Sequence, residues 1–531
     1  MAPGAPCDVL SARPHTMPAV LAAGAAAHAD RELVVADDGT LTYAAMAERA
    51  VALAAGFAEL GLAPGDRVGV LLPNGIRWCA AALGTHAAGL CVVPLNTWYR
   101  ASELEDVVRR ASLRIVVTDE EVLGQAVGDI VRTIADRVDG LRPPLIWPRG
   151  DVLPPSCPRV PVKDPLAYLR TSAADEGDDA LLLLTSGSAA DPKAVRLTQR
   201  GVVETGYAVG ERQGVVSGDR FFLPSPLFFV FGCSNALPNA MTHGATLCTM
   251  ERFEAAAALA LIERERCTVY YGVAPVTRAL VSCEERSRRD ISTLRTGTAN
   301  ATSEDLRLAI EVLGVSQVCN AYGMTEGHGH STITRHTDPP EVRMSSQGTV
   351  LPTQELRIVA ADGSPAPVDE PGLIQLRGTI SPGYLDDEEL NVAAFDADGW
   401  FSTGDVGLID AAGNLHFIGR SHEMMRVKGI NISPAEVEQL LVRHVEVDEA
   451  FVFGIEVGEG EQEIGAVLVS TVAPAARERL VADVLTWSRA EAAAFKVPTR
   501  TWVVAAADLP LTATGKVSKR LLAHAATAGE L

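Results

Sequence analysis

Between two apolar runs, Ala180–Leu184 and Val195–Leu197, the chain reads Thr185-Ser186-Gly187-Ser188-Ala189-Ala190-Asp191-Pro192-Lys193-Ala194. The flanking runs have the length and composition of short buried strands. The loop supplies three hydroxyls (Thr185, Ser186, Ser188), one glycine (Gly187) and one cation (Lys193). Backbone amides and hydroxyls donate to phosphate oxygens and a lysine adds a point charge, so such a loop can wrap a polyphosphate. It is not a Walker loop, because no Gly-Lys-Ser/Thr follows at the required spacing. Taken alone, the same residues also make an ordinary Ser/Gly hairpin.

Three further groups of residues offer matching chemistry. Asn320-Ala321-Tyr322-Gly323-Met324-Thr325-Glu326 follows a strand candidate, Val315–Cys319. A strand that ends in such a turn sets its polar groups at the carboxyl edge of a sheet, where α/β folds bind ligands. Glu326 offers oxygen ligands to Mg²⁺, a hard cation; Thr325 can donate to a phosphate and Tyr322 can stack on a purine. In Trp400-Phe401-Ser402-Thr403-Gly404-Asp405, Asp405 can accept from ribose hydroxyls, with the Arg420 guanidinium not far along the chain. Near the end, Leu511-Thr512-Ala513-Thr514-Gly515-Lys516 carries a lysine on a Thr/Gly loop. Singly these are weak signals, since Asp after Gly is a common turn and a loop lysine is usually just solvated.

The elements that must position these residues follow from periodicity. Tyr43–Leu60, Trp78–Gly89 and Ser102–Ala111 have helical spacing, and Arg67–Leu72, Leu90–Leu95 and Arg114–Thr118 read as strands. This alternation predicts an α/β fold with helix-covered, mainly parallel sheets. Residues 142–163 are proline-rich and read as a connection to the phosphate loop; alternation resumes over 199–320. From 345 to 418 short strands and turns predict a small β-rich subdomain, with turn signals at Asp362-Gly363 and Gly413-Asn414. After Arg420, Ser433-Pro434-Ala435-Glu436 reads as a helix start with Ser433 as cap and Glu436 completing a capping box. Strands over Asp448–Val457 and Glu463–Thr471 and a helix over Arg477–Ala494 complete a compact α+β terminal domain of about 110 residues. The predicted division is a flexible N-terminus (1–17), a large domain (18–420) and a small C-terminal domain (421–531).

Composition narrows the function. The 531 residues carry a net charge of −21 and are 47% apolar. That balance argues against a nucleic-acid surface, which needs a basic patch, but local Lys and Arg can still hold an anionic substrate. The nine cysteines contain no Cys-x-x-Cys pair and none follows Cys319, so neither a zinc scaffold nor a disulfide framework is indicated. A reducing, cytoplasmic compartment is expected. Met17–Ala27 is apolar, but Asp8, Arg13 and His15 before it are no basic n-region, and residues 18–29 read as an amphipathic helix. No apolar span is long enough to cross a membrane. Oligomeric state is left open.

The joint order of the motifs resembles the adenylate-forming (ANL) superfamily of acyl-CoA synthetases, firefly luciferase and peptide-synthetase adenylation domains. The resemblance runs from about Ala19 to Leu522. Leu72-Pro73-Asn74-Gly75 and Pro94-Leu95-Asn96-Thr97 look more like acyl-CoA ligases than peptide-synthetase domains. It implies ATP, Mg²⁺ and coenzyme A as cofactors and a small-molecule carboxylic acid as substrate. The carboxylate attacks the α-phosphorus of ATP and releases pyrophosphate; a thiol, usually that of coenzyme A, then displaces AMP. Such chemistry rests on positioning and electrostatics. By resemblance, Lys516 bridges the carboxylate and the α-phosphate, and Lys193 with Thr185, Ser186, Gly187 and Ser188 holds the β and γ phosphates. Glu326 binds Mg²⁺ beside Thr325, Asp405 and Arg420 take the ribose, and Tyr322 takes the adenine. The small domain is mobile, with its hinge at His422, and Arg426–Ile432 lines the thiol tunnel with Lys428 and Gly429.

Several residues depart from the family pattern. Ala190 and Ala194 stand where glycines are usual; a position needing positive φ would make alanine cost about 1–2 kcal/mol. Phe229, in Pro226-Leu227-Phe228-Phe229, replaces a histidine beside the acyl carboxylate. The acyl-pocket strand reads Gly297-Thr298-Ala299-Asn300, so Thr298 and Asn300 add polarity there, and Gly323 borders the same pocket. His328 and His330 follow the Mg²⁺ motif, with His330 read as a tolerant position. These departures suggest a specialised acid and keep open another acceptor (a carrier-protein thiol or an amine) or an unusual acid such as nitrite. A catalytically silent homologue acting as a binding partner is the other alternative; retention of Lys516, Lys193, Glu326, Asp405 and Arg420 argues against it. Nothing favours a luciferase-like oxygenation.

Overall fold

The computed structural model describes residues 14–185, 193–300, 302–427, 430–458, 461–511 and 517–531. The chain separates into two compact units: Met1–Leu356 with Leu376–Phe401 and Gly413–Leu415, and Arg357–Gln375 with Ser402–Ala412 and His416–Leu531.

The first unit is built on two sheets. One takes its strands in the order Gln317–Cys319, Thr296–Asn300, Val269–Val273, Arg220–Leu223, Thr246–Thr249, Glu32–Ala36, Gly39–Thr42, and every neighbour pair but the last is parallel. The other runs Leu145–Ile146, Ile115–Thr118, Arg67–Leu71, Cys91–Pro94, Asp179–Thr185, Lys193–Thr198, parallel except for the closing hairpin. Central strands such as Cys91–Pro94 and Ile115–Thr118 are buried on both faces, because helices cover both, whereas the edge strand Lys193–Thr198 alternates. A central core joins residues of both sheets (Val34, Val68, Leu181, Phe221, Leu247) with the helices Met17–Ala27, Tyr43–Glu59 and Ile76–Ala87. The outer face of the first sheet packs on Leu259, Ile262, Leu280 and Leu306, and that of the second on Leu104, Val108 and Val131. The predicted α/β alternation is what forms: Tyr43–Leu60 becomes Tyr43–Glu59, and Trp78–Gly89 becomes Ile76–Ala87.

One element had no sequence signal. Phe231–Ala236 is a π-turn, in which the Leu237 amide donates to the Gly232 carbonyl five residues back before Leu237–Thr242 continues as α-helix. Such insertions concentrate at functional sites.

The second unit contains the strands Glu449–Gly458 and Glu461–Val469, antiparallel, with Arg500–Val504 parallel to the second. Alternation divides their side chains. Val452, Ile464, Ala466 and Leu468 pack on the helices Pro434–Leu441 and Arg477–Glu491, while Phe453, Ile455 and Val467 pack on Leu522 and Ala526 of Lys519–Ala528. The capping box expected at Ser433 does not form. The Ser433 hydroxyl donates instead to the Ile418 carbonyl at 2.6 Å, and Glu436 pairs with Lys496. Proline at the first helical position removes one orphan amide and lowers the need for a side-chain cap.

Candidate active site

The segment expected to bind phosphate is bracketed by a hairpin whose last pair is Thr185 opposite Lys193. Ser186, Gly187, Ser188 and Ala190 lie outside the described residues. Ala194 sits in the hairpin opposite Leu184 in ordinary strand conformation, so no left-handed backbone is demanded of that alanine. The segment 381–385 is stitched to this edge. The Arg196 amide donates to the Gly383 carbonyl (3.1 Å), the Leu385 amide to the Ala194 carbonyl (2.9 Å) and the Ser381 hydroxyl to the Arg196 carbonyl (2.7 Å).

That stitching delivers Tyr384, which the sequence reading missed. Its hydroxyl donates to Glu326 Oε1 at 2.7 Å, and its ring lies 5.3 Å from Lys193 Nζ. Burial and the Glu326 carboxylate push the Tyr384 phenol well above its ordinary pKa, so it stays a donor. The Ser381 amide also donates to the Glu326 carbonyl at 2.7 Å. Glu326 is therefore anchored through backbone and side chain, and Lys193 is held over an aromatic face by cation–π attraction. Thr325 opens the short 3₁₀ turn that carries Glu326 and is half-buried.

Tyr322 is buried on a two-residue strand paired with Thr332 at the carboxyl edge of the larger sheet. Gly323 permits a close approach, since a Cβ there would stand 2.3 Å from the Gly329 carbonyl oxygen and 2.5 Å from His330 Cα. Gly297 is required by its backbone, with φ of +132° and a would-be Cβ 2.0 Å from the Tyr270 carbonyl oxygen. Beside it, the Thr298 hydroxyl is engaged by the Cys319 carbonyl at 3.3 Å, and Ala299 packs in the outer core. Asn300 ends that strand, and its side chain lies outside what is described.

Phe229 belongs to an aromatic group with Phe228 (centroids 4.5 Å apart) and Trp98 (5.8 Å). Asn74 holds this segment. Its Nδ2 donates to the Ser225 carbonyl and Thr249 Oγ1, each at 2.9 Å, and its Oδ1 accepts from the Leu227 amide at 2.7 Å. Asn74→Ala strands the Leu227 amide and Ser225 carbonyl in the core. The expected cost is about 3 kcal/mol of stability, read as a lower urea midpoint at unchanged m-value; an unchanged midpoint would refute the staple.

His328 and His330 are fully buried, and burial alone pushes their imidazoles down to about 3 and about 4. Both are neutral at pH 7. The His328 ring covers Gly201, where a Cβ would stand 2.0 Å from its Nε2.

In the second unit Asp405 is 2% exposed and forms an ion pair with Arg420, with Nε 2.9 Å from Oδ1. The Asp405 amide donates to Thr403 Oγ1 at 3.1 Å, and that hydroxyl donates to the Ile374 carbonyl at 2.9 Å. The two predicted ribose groups are thus one ion pair. His422 lies within the 3₁₀ turn Ser421–Glu423. Lys428, Gly429 and Lys516 lie outside the described residues. The strands Met425–Val427 and Ile430–Ile432 pair on either side of the first two. Leu511 bridges Val517, and the Ser518 amide donates to the Pro510 carbonyl at 2.8 Å, closing the neck of the Lys516 loop. Among the described residues no group of three or more His, Cys, Asp and Glu side chains could hold a metal ion.

Residues 21–385 match the AMP-binding enzyme family and residues 436–516 its C-terminal domain. Over 507 residues, covering 92% of this chain and 95% of the relative, the sequence is 32% identical to 3-[(3aS,4S,7aS)-7a-methyl-1,5-dioxo-octahydro-1H-inden-4-yl]propanoyl:CoA ligase of Mycobacterium tuberculosis. It is 27% identical to the mitochondrial medium-chain acyl-CoA ligase ACSF2 of Mus musculus, covering 92% of this chain and 84% of the relative. The crystal structure of the anthranilate CoA ligase AuaEII in complex with anthranoyl-AMP superposes with a TM-score of 0.84 at 24% identity, covering 98% of this chain and 99% of that one. Sequence match and fold agree, and the chain belongs to the AMP-binding enzyme family, the adenylate-forming superfamily of ligases.

Proposed function

We propose that this protein is an AMP-forming acid–thiol ligase that activates a carboxylic acid with ATP and passes the acyl group to coenzyme A. The carrying observation is the anchored Glu326, with Tyr384 and Lys193, at the mouth of the phosphate-loop hairpin. Glu326 would hold Mg²⁺ with one carboxylate. This fits that ion, which keeps waters and substrate phosphates for most of its shell; it would offset phosphate charge. Lys193, Thr185 and the loop hydroxyls would bind the β and γ phosphates, Tyr322 the adenine, and the Asp405–Arg420 pair the ribose hydroxyls. Lys516 would bridge the acid carboxylate and the α-phosphate as negative charge builds there. Residues 421–531 would then turn about His422 and bring Arg426–Ile432, with Lys428 and Gly429, against the pantetheine thiol.

The relatives' printed activities, both acyl-CoA ligations, support coenzyme A as acceptor. No described helix is long and apolar enough to cross a membrane, and no described cysteine is in a disulfide. We place the reaction in the cytoplasm on the second ground.

The test is pyrophosphate release across a panel of carboxylic acids, with and without coenzyme A, and mass analysis of the products. Acyl-CoA and AMP in equal amounts are expected. Acid-dependent pyrophosphate release without acyl-CoA would shift the reading to a carrier protein or an amine as acceptor. In the same assay Glu326→Gln should move the Mg²⁺ titration to higher concentration, since an amide is a poorer ligand than a carboxylate. An unchanged titration would place the metal elsewhere.

A further inference from the structure

Behind Gly323 and the aromatic segment lies a polar cluster that no part of the adenylation chemistry uses. The Asn239 Nδ2 group donates to Gln213 Oε1 and to Tyr271 Oη, each at 2.9 Å, and Tyr271 Oη donates to Asn235 Oδ1 at 2.7 Å. Gln213, Asn235, Asn239 and Tyr271 are all fully buried. Three amide atoms of this cluster are unpaired among the described residues, Gln213 Nε2, Asn239 Oδ1 and Asn235 Nδ2, and Asn235 is the member that lies in the π-turn. One end of its amide is taken by Tyr271, while Nδ2 has no hydrogen-bond partner among the described residues. Neither ring nitrogen of the buried His330 has one either. Burying polar atoms unpaired is costly, and buried groups are rarely left so unless something else pairs them.

These groups adjoin Phe229 and Gly323, the residues expected to border the acyl pocket. Asn235 is in the π-turn that continues the Phe228–Phe229 segment, and Phe231 of the same turn is 5.0 Å from the Tyr271 ring and 6.0 Å from the His330 ring. His330 abuts Gly323, and the Cβ direction of Gly329 points between Val230 and Asn235, which stand 3.4 and 3.7 Å away. Donors and acceptors fixed by a hydrogen-bonded relay on rigid helix and strand make a recognition site for a polar atom.

We propose that Asn235 and His330 are specificity-determining residues that read a carbonyl or hydroxyl oxygen on the acyl body, so that the preferred acid is an oxygenated one rather than a plain alkanoic or carbocyclic acid. The proposal rests on the acid-activating reading above and sharpens it. A neutral imidazole can donate or accept, and burial keeps His330 neutral at pH 7. With an acid lacking the oxygen, the amide and imidazole stay unpaired in a dry wall, which is how such sites reject apolar analogues.

The experiment compares kcat/KM for pyrophosphate release with matched acids, keto or hydroxy against deoxy, of one carbon skeleton. Wild type should favour the oxygenated member by on the order of 10²-fold. Asn235→Leu and His330→Phe should each shrink that ratio about tenfold or more, chiefly by losses on the oxygenated acid. Thermal unfolding of each variant checks folding, and either variant alone can carry the result. Equal use of both acids by the wild type would overturn the proposal while leaving acid activation intact. So would variants that fold and lower both acids equally. Release of pyrophosphate with no acid at all would instead overturn the reading on which it rests.

Discussion

Replacing Lys516 with alanine is expected to cut acid-dependent pyrophosphate release by about 10²–10³-fold, the usual penalty for one preorganised electrostatic group. The fold should persist. The neck of the loop is closed by backbone contacts, the Leu511–Val517 bridge and the Ser518–Pro510 hydrogen bond, which a side-chain truncation leaves in place. The lost charge would act only where negative charge builds on the α-phosphate and the attacking carboxylate, so kcat should fall more than KM rises. Lys519→Ala separates this from a general charge effect. That lysine is three residues on and is spent on an ion pair with Glu438 at 2.7 Å, so its removal should leave the rate within about threefold of wild type, as expected of a surface pair. A Lys516→Ala enzyme that releases pyrophosphate at the wild-type rate would show that another cation bridges the two reactants.

What could be read in the sequence was what local period encodes. Apolar spacing located the helices Tyr43–Glu59 and Arg477–Glu491 and the strands Asp179–Thr185 and Lys193–Thr198 to within a few residues. Motif order pointed to Glu326, Asp405 and Arg420, and the structure joins the last two in one ion pair. Tyr384 was invisible because nothing local marks it. It reaches Glu326, 58 residues away, only through the register that segment 381–385 makes with the hairpin strand Lys193–Thr198. Asn74 is similar. As part of a Pro-Asn-Gly turn it reads as loop punctuation, yet its amide pins a segment about 150 residues on. The Asn235 relay needs strand order as well. Tyr271 faces the π-turn because Val269–Val273 pairs directly with Arg220–Leu223 and Thr296–Asn300, a neighbourhood that no periodicity reports. Thr298 shows the converse limit. Residue type suggested a polar pocket wall, but its hydroxyl is bonded to the Cys319 carbonyl.

His422→Pro is expected to separate the two half-reactions. His422 lies in the short turn Ser421–Glu423, directly after Arg420, whose side chain is tied to Asp405 and whose carbonyl accepts from the Met424 amide at 3.1 Å. The ion pair with Asp405 holds the chain on the N-terminal side of the turn, so a rotation of the following residues would be absorbed by one or two backbone positions, as hinges do. Proline fixes φ of residue 422 near −65° and pushes Ser421 away from helical ψ. It therefore removes part of the swing without touching any group proposed to meet ATP. On the proposed mechanism, formation of the adenylate would need one orientation of residues 421–531 and thiol transfer the other. Confining the hinge by about 1.4–2.8 kcal/mol would lower the population of the second orientation roughly 10- to 100-fold. Pyrophosphate release in a single turnover should stay within a few-fold of wild type, while acyl transfer from preformed adenylate to coenzyme A should slow by that larger factor. Equal losses in both steps, with a lowered unfolding midpoint, would mark a folding defect and refute the hinge. No loss in either would show that the chain does not turn at residue 422, and thiol transfer would then have to proceed without rotation about that turn.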